Sequence, residues 1–431
     1  MANWYDTPAN VTQYNDIFKE ILLPPVRDQI NREVLLVNQL QRVTGPPVVG
    51  KQWEIPLSIG RNEGVGAALE NRTLPPAGRQ EYDRAYLKPT HFYGRILLTG
   101  VVKDLTEGNV GSVANALAEE TRGLGINMKQ EACRMFYGDG QGILCQVSGT
   151  KTLAASGSDS VTVHYPWGSS KAENDPTIHV RKNMYIAFVE EGTAAVHATG
   201  LVTAVSSTAI TFTIVSGGNA TVDNDYVCRV NDVGSSVPAL EDTSFASDPD
   251  GTPHEPYGLL AIVSEDNPGG SSTFMAVPST ETFWQATVKD MGAALSELAV
   301  QEVLDEVYIN SQRMPSLLLT SHKVVRNYAN GLKSEKRYVN TTQLQGGWTG
   351  VEINGRAMVA DFLCPENCIF LLTMDELALW QVSDLKWIDD DGAILHRSES
   401  VDRFQATMKW RMNLGTYSRH AHGLICNITT T

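Results

Sequence analysis

Two strand signals flanking a long stretch rich in glycine and proline commit this chain to an extended ribbon. The first alternates in polarity, Trp53-Glu54-Ile55-Pro56-Leu57-Ser58-Ile59, and the second begins near His91 and ends Ile96-Leu97-Leu98-Thr99-Gly100-Val101-Val102. About thirty residues separate them, and a connection of that length is either functional or without fixed structure. It holds Gly60, Gly64, Gly66, Pro75, Pro76 and Gly78. A lone two-stranded ribbon is marginal in water. The pattern therefore predicts that the ribbon rests on something, with a partner subunit the obvious candidate.

Charge bears on what that partner is. The 431 residues include 34 Lys and Arg against 49 Asp and Glu, a net charge of −15, so bulk attraction to nucleic acid or an anionic membrane is a poor default. The balance is −1 over residues 1–50, +3 over 51–103, −11 over 104–260 and −6 over 261–431. The basic segment carries Lys51, Arg61, Arg72, Arg79, Arg84, Lys88, Arg95 and Lys103. It reads either as a solvated loop or as an arm meeting an acidic neighbour through the bidentate pairing that arginine favours. With 42% hydrophobic and 19% charged residues, the composition excludes disordered, collagen-like and coiled-coil chains. The length predicts two or three lobes of roughly 150 residues each. Six scattered cysteines, and a start (Met-Ala-Asn-Trp-Tyr-Asp) without a basic and then apolar leader, predict synthesis in a reducing cytoplasm with free thiols. Apolar runs such as Ile369–Leu372 fall far short of the ~20 residues a spanning helix needs, so no membrane contact is expected.

Residues 1–50 read as an arm. Ile17, Ile21 and Leu22 form one apolar patch, Pro24-Pro25 interrupts it, and Ile30, Val34, Val37 and Leu40 recur at helical spacing. The longest helical pattern spans 111–137, with Val113, Leu117, Leu124, Met128, Cys133 and Phe136 near one stripe and Gly138-Asp139-Gly140 as its stop. From Ile143 to Val230 the texture changes to Val, Ile, Thr and Phe alternation, with strands expected at 160–164, 183–189, 201–205, 209–215 and 226–230, an acidic β module. A Gly/Pro/Asp/Ser-rich connection follows, with one apolar island at Tyr257–Val263. The last third predicts a helix from Trp284 to about Asn310 with Val288, Leu295, Leu298, Val303 and Val307 as its inner face. After it come a strand at Leu317–Leu319, a helix from Ser321 to Tyr328 closed by Asn330-Gly331, strands near 352–353, 358–359 and 369–372, and closing strands near 404–412 and 423–428. Short strands with helices between some of them make the class α+β.

No catalytic constellation has the required spacing: the sequence holds no Gly-x4-Gly-Lys-Ser/Thr, no Gly-x-Ser-x-Gly and no His-Glu-x2-His. Gly138-Asp139-Gly140-Gln141-Gly142 follows a helix, whereas phosphate-cradling loops precede one. Cys364 and Cys368 have a pair spacing compatible with zinc, and His420, His422 and Cys426 share a face if they lie on one strand, but a site would need both clusters to meet. Asp389-Asp390-Asp391-Gly392 lacks the alternating ligands and distal Glu of a calcium loop. The expectation is no catalytic residue, no metal and no cofactor.

Several stretches resemble the major capsid protein of tailed bacteriophages, the Hong-Kong-97 fold shared with encapsulins. They are Tyr257-Gly258-Leu259-Leu260, Trp284-Gln285-Ala286-Thr287-Val288 with the helix after it, Pro315-Ser316-Leu317-Leu318-Leu319-Thr320-Ser321, and Val351-Glu352-Ile353-Asn354-Gly355-Arg356-Ala357-Met358-Val359-Ala360-Asp361. The order of arm, basic ribbon, long helix and mixed lobe is similar too. The resemblance implies an N-terminal arm at 1–50, an extended loop over a neighbouring subunit at 51–103, and a peripheral domain whose spine helix falls in 104–140. A β-rich insertion at 141–233 and a connection at 234–279 would then lead to an axial domain at 280–395, with peripheral strands closing the chain at 396–431. The function implied is self-assembly into pentamers and hexamers of an icosahedral capsid enclosing double-stranded DNA, bound without sequence specificity.

The same resemblance places the chain in the virion, assembled in a host bacterial cytoplasm. Its partners would be copies of itself, a separate scaffold, a portal and possibly decoration proteins. The stretch from Arg61 to Arg84 contains no Lys, so the shell is expected to lack the Lys–Asn links of some relatives. Inter-subunit contacts are expected at Arg61, Arg72, Arg79 and Arg84, and at Trp53, Ile30 and Val34. The alternatives are an encapsulin-type compartment and, from another class, a monomeric ligand-binding β protein centred on 141–233.

Overall fold

The computed structural model describes residues 35–44, 51–68, 73–99, 116–165, 176–230 apart from 192 and 194, 243, 253–264, 273–278, 280–334, 341–343, 349–389, 396–397 and 402–429. In chain order the elements begin with helix α1 (Leu35–Gln39) and strands β1 (Gln41–Thr44), β2 (Trp53–Gly60), β3 (Glu81–Leu87) and β4 (Thr90–Thr99), then the long helix α2 (Ala116–Tyr137). Next come β5 (Ile143–Val147), β6 (Lys151–Thr152), β7 (Gly157–His164), β8 (Tyr185–Val189), β9 (Val196–Val205), β10 (Ala209–Ser216), β11 (Thr221–Val222) and β12 (Tyr226–Arg229). Helix α3 (Leu259–Ile262), β13 (Thr273–Phe274), β14 (Val277–Pro278), β15 (Thr287–Asp290), helix α4 (Glu297–Ser311), β16 (Leu317–Thr320) and helix α5 (His322–Ser334) follow. The chain closes with β17 (Thr341–Gln343), β18 (Thr349–Ile353), β19 (Arg356–Ala360), β20 (Ile369–Leu372), β21 (Leu377–Trp387), β22 (His396–Arg397), β23 (Arg403–Thr416) and β24 (Gly423–Cys426).

The β-rich segment forms a closed barrel, β10-β7-β5-β12-β8-β9. Alternation built it: Val161, Val163, Ile186, Phe188, Val202, Ile210 and Phe212 point inward and are buried, and Phe188 and Phe212 meet with ring centroids 5.0 Å apart. Barrel diameter grows with strand number and about eight strands are just filled by side chains, so six leave less room still. Burying either phenylalanine contributes about 1.5–3 kcal/mol. The barrel is anchored on the long helix by a buried ion network, in which Arg134 of α2 donates to Glu131 at 2.7 Å and to Glu255, and Arg229 of β12 lies 3.8 Å from Glu131.

Two further sheets, of five and seven strands, make up the rest of the frame. The body sheet runs β1-β21-β23-β22, with β4 also paired along β23. Helix α2 packs against it where Gly94 admits Met128, since a Cβ at Gly94 would lie 2.5 Å from the Met128 sulfur. A seven-stranded sheet, β15-β24-β20-β16-β19-β18-β17, carries α4 and α5 on one face through Val300, Val303, Leu304, Val307, Val324 and Tyr328. The main core covers its other face through Leu317, Leu319, Val359 and Phe370. Strands buried on both faces read as continuous apolar runs, which is why Leu317-Leu318-Leu319 and Ile369-Phe370-Leu371-Leu372 are legible.

The structure corrects four expectations. The strand near His91 is not the ribbon's second leg; β2 pairs with β3, and β4 belongs to the body sheet. The helix expected from Trp284 begins at Glu297, because Gly292 takes a left-handed φ of 56° and the Ser296 hydroxyl accepts the Ala299 N–H, an N-cap. Residues 287–290 before it form a strand parallel to β24, and Leu298, expected inside, is exposed. Helix α5 runs through Asn330-Gly331 to Ser334, since one glycine costs only about 1 kcal/mol in a helix whose other face is buried.

Candidate assembly interface

The ribbon is a hairpin of β2 and β3 with two different ends. At its root the alternation of β2 buries Trp53, Ile55 and Leu57 while Glu54, Pro56 and Ser58 face solvent, and Ala85 and Leu87 of β3 complete the buried side. Trp53 tilts against Trp380 at 5.9 Å, Leu87 lies over Gly415, where a Cβ would come within 2.8 Å, and the Tyr86 N–H donates to Met275 O at 2.8 Å. The root is therefore held by the chain's own core. Trp53, expected at an inter-subunit contact, is 5% exposed within its own chain.

The distal end has the opposite character. Beyond Gly60 the two legs touch at Gly64 and Gly78, where a Cβ on Gly64 would sit 2.6 Å from the Gly78 nitrogen, so side chains there are sterically excluded. Asn62 Oδ1 accepts the Gly64 N–H at 2.8 Å and fixes the turn. Val65 and Leu74 are 74% and 76% exposed at the tip, and Tyr82 is 72% exposed on β3. Three large apolar side chains are thus left uncovered by their own chain along one projection.

Of the arginines expected at contacts, Arg61 and Arg79 are exposed at the start and end of the tip loop. Arg84 is exposed on β3 but has a partner in its own chain, Glu54 across the ribbon at 3.5 Å, a solvent-screened pair worth little by itself. Arg72, Ile30 and Val34 lie outside the described residues. The apolar tip residues were missed by sequence reading, although Val65 and Leu74, flanked by glycine, alanine and proline, carried the signal.

Behind the ribbon root, buried polar groups fix the frame. Arg419, fully buried, donates to the carbonyls of Ala261, Ile262, Ser264 and Trp284 and sits over the Phe274 ring at 4.7 Å, tying the end of α3 to the turn before β24. Around Arg134 the two carboxylates diverge. Burial opposes charge at both, yet Arg134 and Arg229 hold Glu131 below the usual range, while at Glu255 burial wins and its pKa is raised.

Catalytic and metal chemistry have little to work with among the described residues. All six cysteines are buried and unbridged, and burial pushes the thiols of Cys133, Cys145, Cys228 and Cys364 up, away from nucleophilic thiolate. His420 and His422 do not share a strand face with Cys426, because Arg419–Ala421 is a 3-10 turn and β24 starts only at Gly423. Their ring nitrogens face Phe283 O and Thr416 Oγ1. No group of three or more His, Cys, Asp or Glu side chains among the described residues is placed to hold a metal ion.

No protein-family model and no curated protein matches the chain. Among solved structures it superposes on the capsid asymmetric unit of cyanophage A-1(L) with a TM-score of 0.58, over 98% of this chain and 100% of that one, at 10% identity. An encapsulin complex from Synechococcus elongatus PCC 7942 (TM-score 0.49, 11% identity, 99% and 97% covered) and a chain of Mycobacterium phage Bobi (0.47, 9%, 97% and 99%) align more loosely. End-to-end agreement with the cyanophage capsid, together with the ribbon, the long helix and the helix-covered sheet described above, gives the chain the Hong-Kong-97-type fold of tailed-phage capsid proteins.

Proposed function

We propose that this chain is the shell-forming subunit of a tailed-phage capsid, built from pentamers and hexamers of itself around double-stranded DNA. The observation that carries the reading is the two-ended ribbon: a root locked into the chain's own core and a far end that leaves Val65 and Leu74 in solvent, with Arg61 and Arg79 exposed at the start and end of the same loop. A projection so anchored is preorganised to reach a neighbour, and preorganisation spares most of the ordering cost of association. The role is structural rather than enzymatic. Assembly in a bacterial cytoplasm with a separate scaffold and a portal, and decoration on the barrel, belong to the same reading, and a protein so acidic would leave packaged DNA unadsorbed.

Expressed alone, the full chain should form capsomers or closed particles by negative-stain microscopy and sedimentation. Val65→Asp with Leu74→Asp should leave unassembled subunits whose melting is unchanged, because both sites are exposed. A monodisperse single copy of the unaltered chain would overturn the reading. An encapsulin would be distinguished by particles that enclose a protein cargo. The monomeric ligand-binding alternative is disfavoured by the barrel interior, filled by Phe188, Phe212, Ile186, Val202 and Ile210.

A further inference from the structure

We propose that the face of the body sheet turned away from α2 contacts the phosphate backbone of duplex DNA, without regard to sequence, and so lines the inside of the shell; this rests on the shell reading above. Charge is the observation behind it. The five strands of that sheet, β1, β4, β21, β22 and β23, carry seven Lys and Arg and a single carboxylate, Asp384, in a chain whose net charge is −15. That carboxylate is already engaged within the chain, since Gln381 Nε2 donates to it at 2.7 Å and the Arg42 guanidinium lies 3.4 Å away.

Alternation sorts the cations to one side. Along β23, Ala406, Met408, Trp410 and Met412 are buried, and α2 packs on that side at Gly94. The residues between them point the other way: Arg403 and Arg411 are exposed, and Gln405, Thr407 and Lys409 are half-buried. The register of β4 sets His91 opposite Arg411, Tyr93 opposite Lys409 and Arg95 opposite Thr407, while β21 sets Lys386 opposite Lys409. Residues paired in this way share a face, and like charges directly opposite each other destabilise two strands. Lys386 and Lys409 therefore stand together at a cost to the free subunit, which an anion laid across them would offset.

Chemistry selects DNA over a protein partner. Every outward side chain of β23 from Arg403 to Arg411 can donate a hydrogen bond, as can Tyr93 and Arg95 beside it, and phosphate oxygens only accept. An interface between proteins has an apolar centre and a polar rim. Here the order is reversed, with Lys386 and Lys409 central and the exposed Leu97 further along, opposite Gln405. The acidic remainder of the chain repels DNA, so the contact is confined to this face, the one place where that repulsion reverses.

The test is fluorescence anisotropy of a labelled duplex of arbitrary sequence with unassembled full-length protein over a range of salt. Phosphate contacts from Arg95, Lys386, Arg403, Lys409 and Arg411 predict a slope of log affinity against log salt of about −4.5, and Lys409→Gln with Arg411→Gln should bring it to about −2.7. The pair should not lower the melting temperature, because it relieves like-charge repulsion. Arg181→Gln with Lys182→Gln, two exposed cations just before β8 of the barrel, should leave the slope unchanged. A slope that the first pair does not move, or that the second pair lowers equally, overturns the proposal. So does a first pair that blocks assembly with DNA binding intact, which would assign the face to another copy. Orientation is read separately with Arg403→Cys, against a low background because all six native cysteines are buried. In closed particles it should react with a small maleimide and be shielded from a large polymer-linked one; reaction with both puts the face outside, and reaction with neither puts another copy over it, and either overturns the proposal. Particles formed by a chain without salt-steep DNA binding overturn this inference while the shell reading stands, whereas a chain that binds with the expected slope and never assembles removes the shell reading and leaves the DNA surface.

Discussion

Lowering the pH from about 7.5 to about 5 should weaken the subunit through His422, and His422→Gln should remove that share of the loss. His422 is fully buried; the Thr373 N–H donates to its Nδ1 at 3.3 Å, and its Nε2 lies 3.0 Å from Thr416 Oγ1. The Thr416 hydroxyl donates to Glu376 O at 3.0 Å, which leaves its oxygen free to accept. These contacts assign the neutral ring with its proton on Nε2. Protonating Nδ1 would set two donors, the ring N–H and the Thr373 N–H, against each other. Burial, helped by the nearby His420, accordingly pushes the pKa of His422 down to about 3, against 6.5 in the unfolded chain.

The sign follows from linkage. Below about 6.5 the unfolded chain binds a proton that the folded one refuses, so stability is full at neutral pH and falls until the folded pKa is reached. At pH 5 the loss is RT ln(1 + 10^1.5), about 2 kcal/mol. Burial raises the pKa of Asp361 and Glu255, which acts in the opposite sense and is lost as pH rises, so the quantity to compare is the difference between the two proteins. Urea unfolding of unassembled subunits, followed by tryptophan fluorescence at both pH values, measures it. An equal loss in both proteins would refute the reasoning.

Three further outcomes are expected. Arg134→Met strands Glu131 and Glu255 in the interior and should cost 3–5 kcal/mol, roughly; converting both carboxylates to Gln in the same protein should recover much of it, as denaturation midpoints would report. Phe212→Ala should cost about 3–5 kcal/mol through the cavity left in the barrel, with faster hydrogen exchange confined to β5 and β7–β12. Reversing charge at Arg61, Arg72, Arg79 and Arg84 should slow assembly and change its salt dependence, visible in light scattering, without lowering the melting temperature of the free subunit; unchanged assembly would remove the arginines from the contact.

Legibility tracked the sequence distance between partners. Five of the six barrel strands were readable because alternation of Val, Ile, Thr and Phe over 160–230 is settled within one self-contained unit, whereas β5, buried at every position, shows no alternation. Closure of the barrel, by β9 pairing β10 and β8, was not readable, since alternation reports a face and not a neighbour. The ribbon was half-read for the same reason: β4 carries a strand pattern, but its partner β23 lies more than 300 residues away. Strand β21 was missed because its first half, Leu377–Gln381, is buried on both faces and shows no alternation.

Composition and pattern by themselves determined an α+β chain with an acidic body, a basic glycine-rich projection, a long helix and a β module, because each is a local property of residue type and period. Tertiary structure alone decided that Trp53 belongs to the core while Val65 and Leu74 stand in solvent, and that Leu298 and Ile309 face outward while Val303 and Val307 face in. Apolar residues look alike in a sequence. Which of them a subunit keeps, and which it leaves for another copy to cover, is set by how far its own core extends.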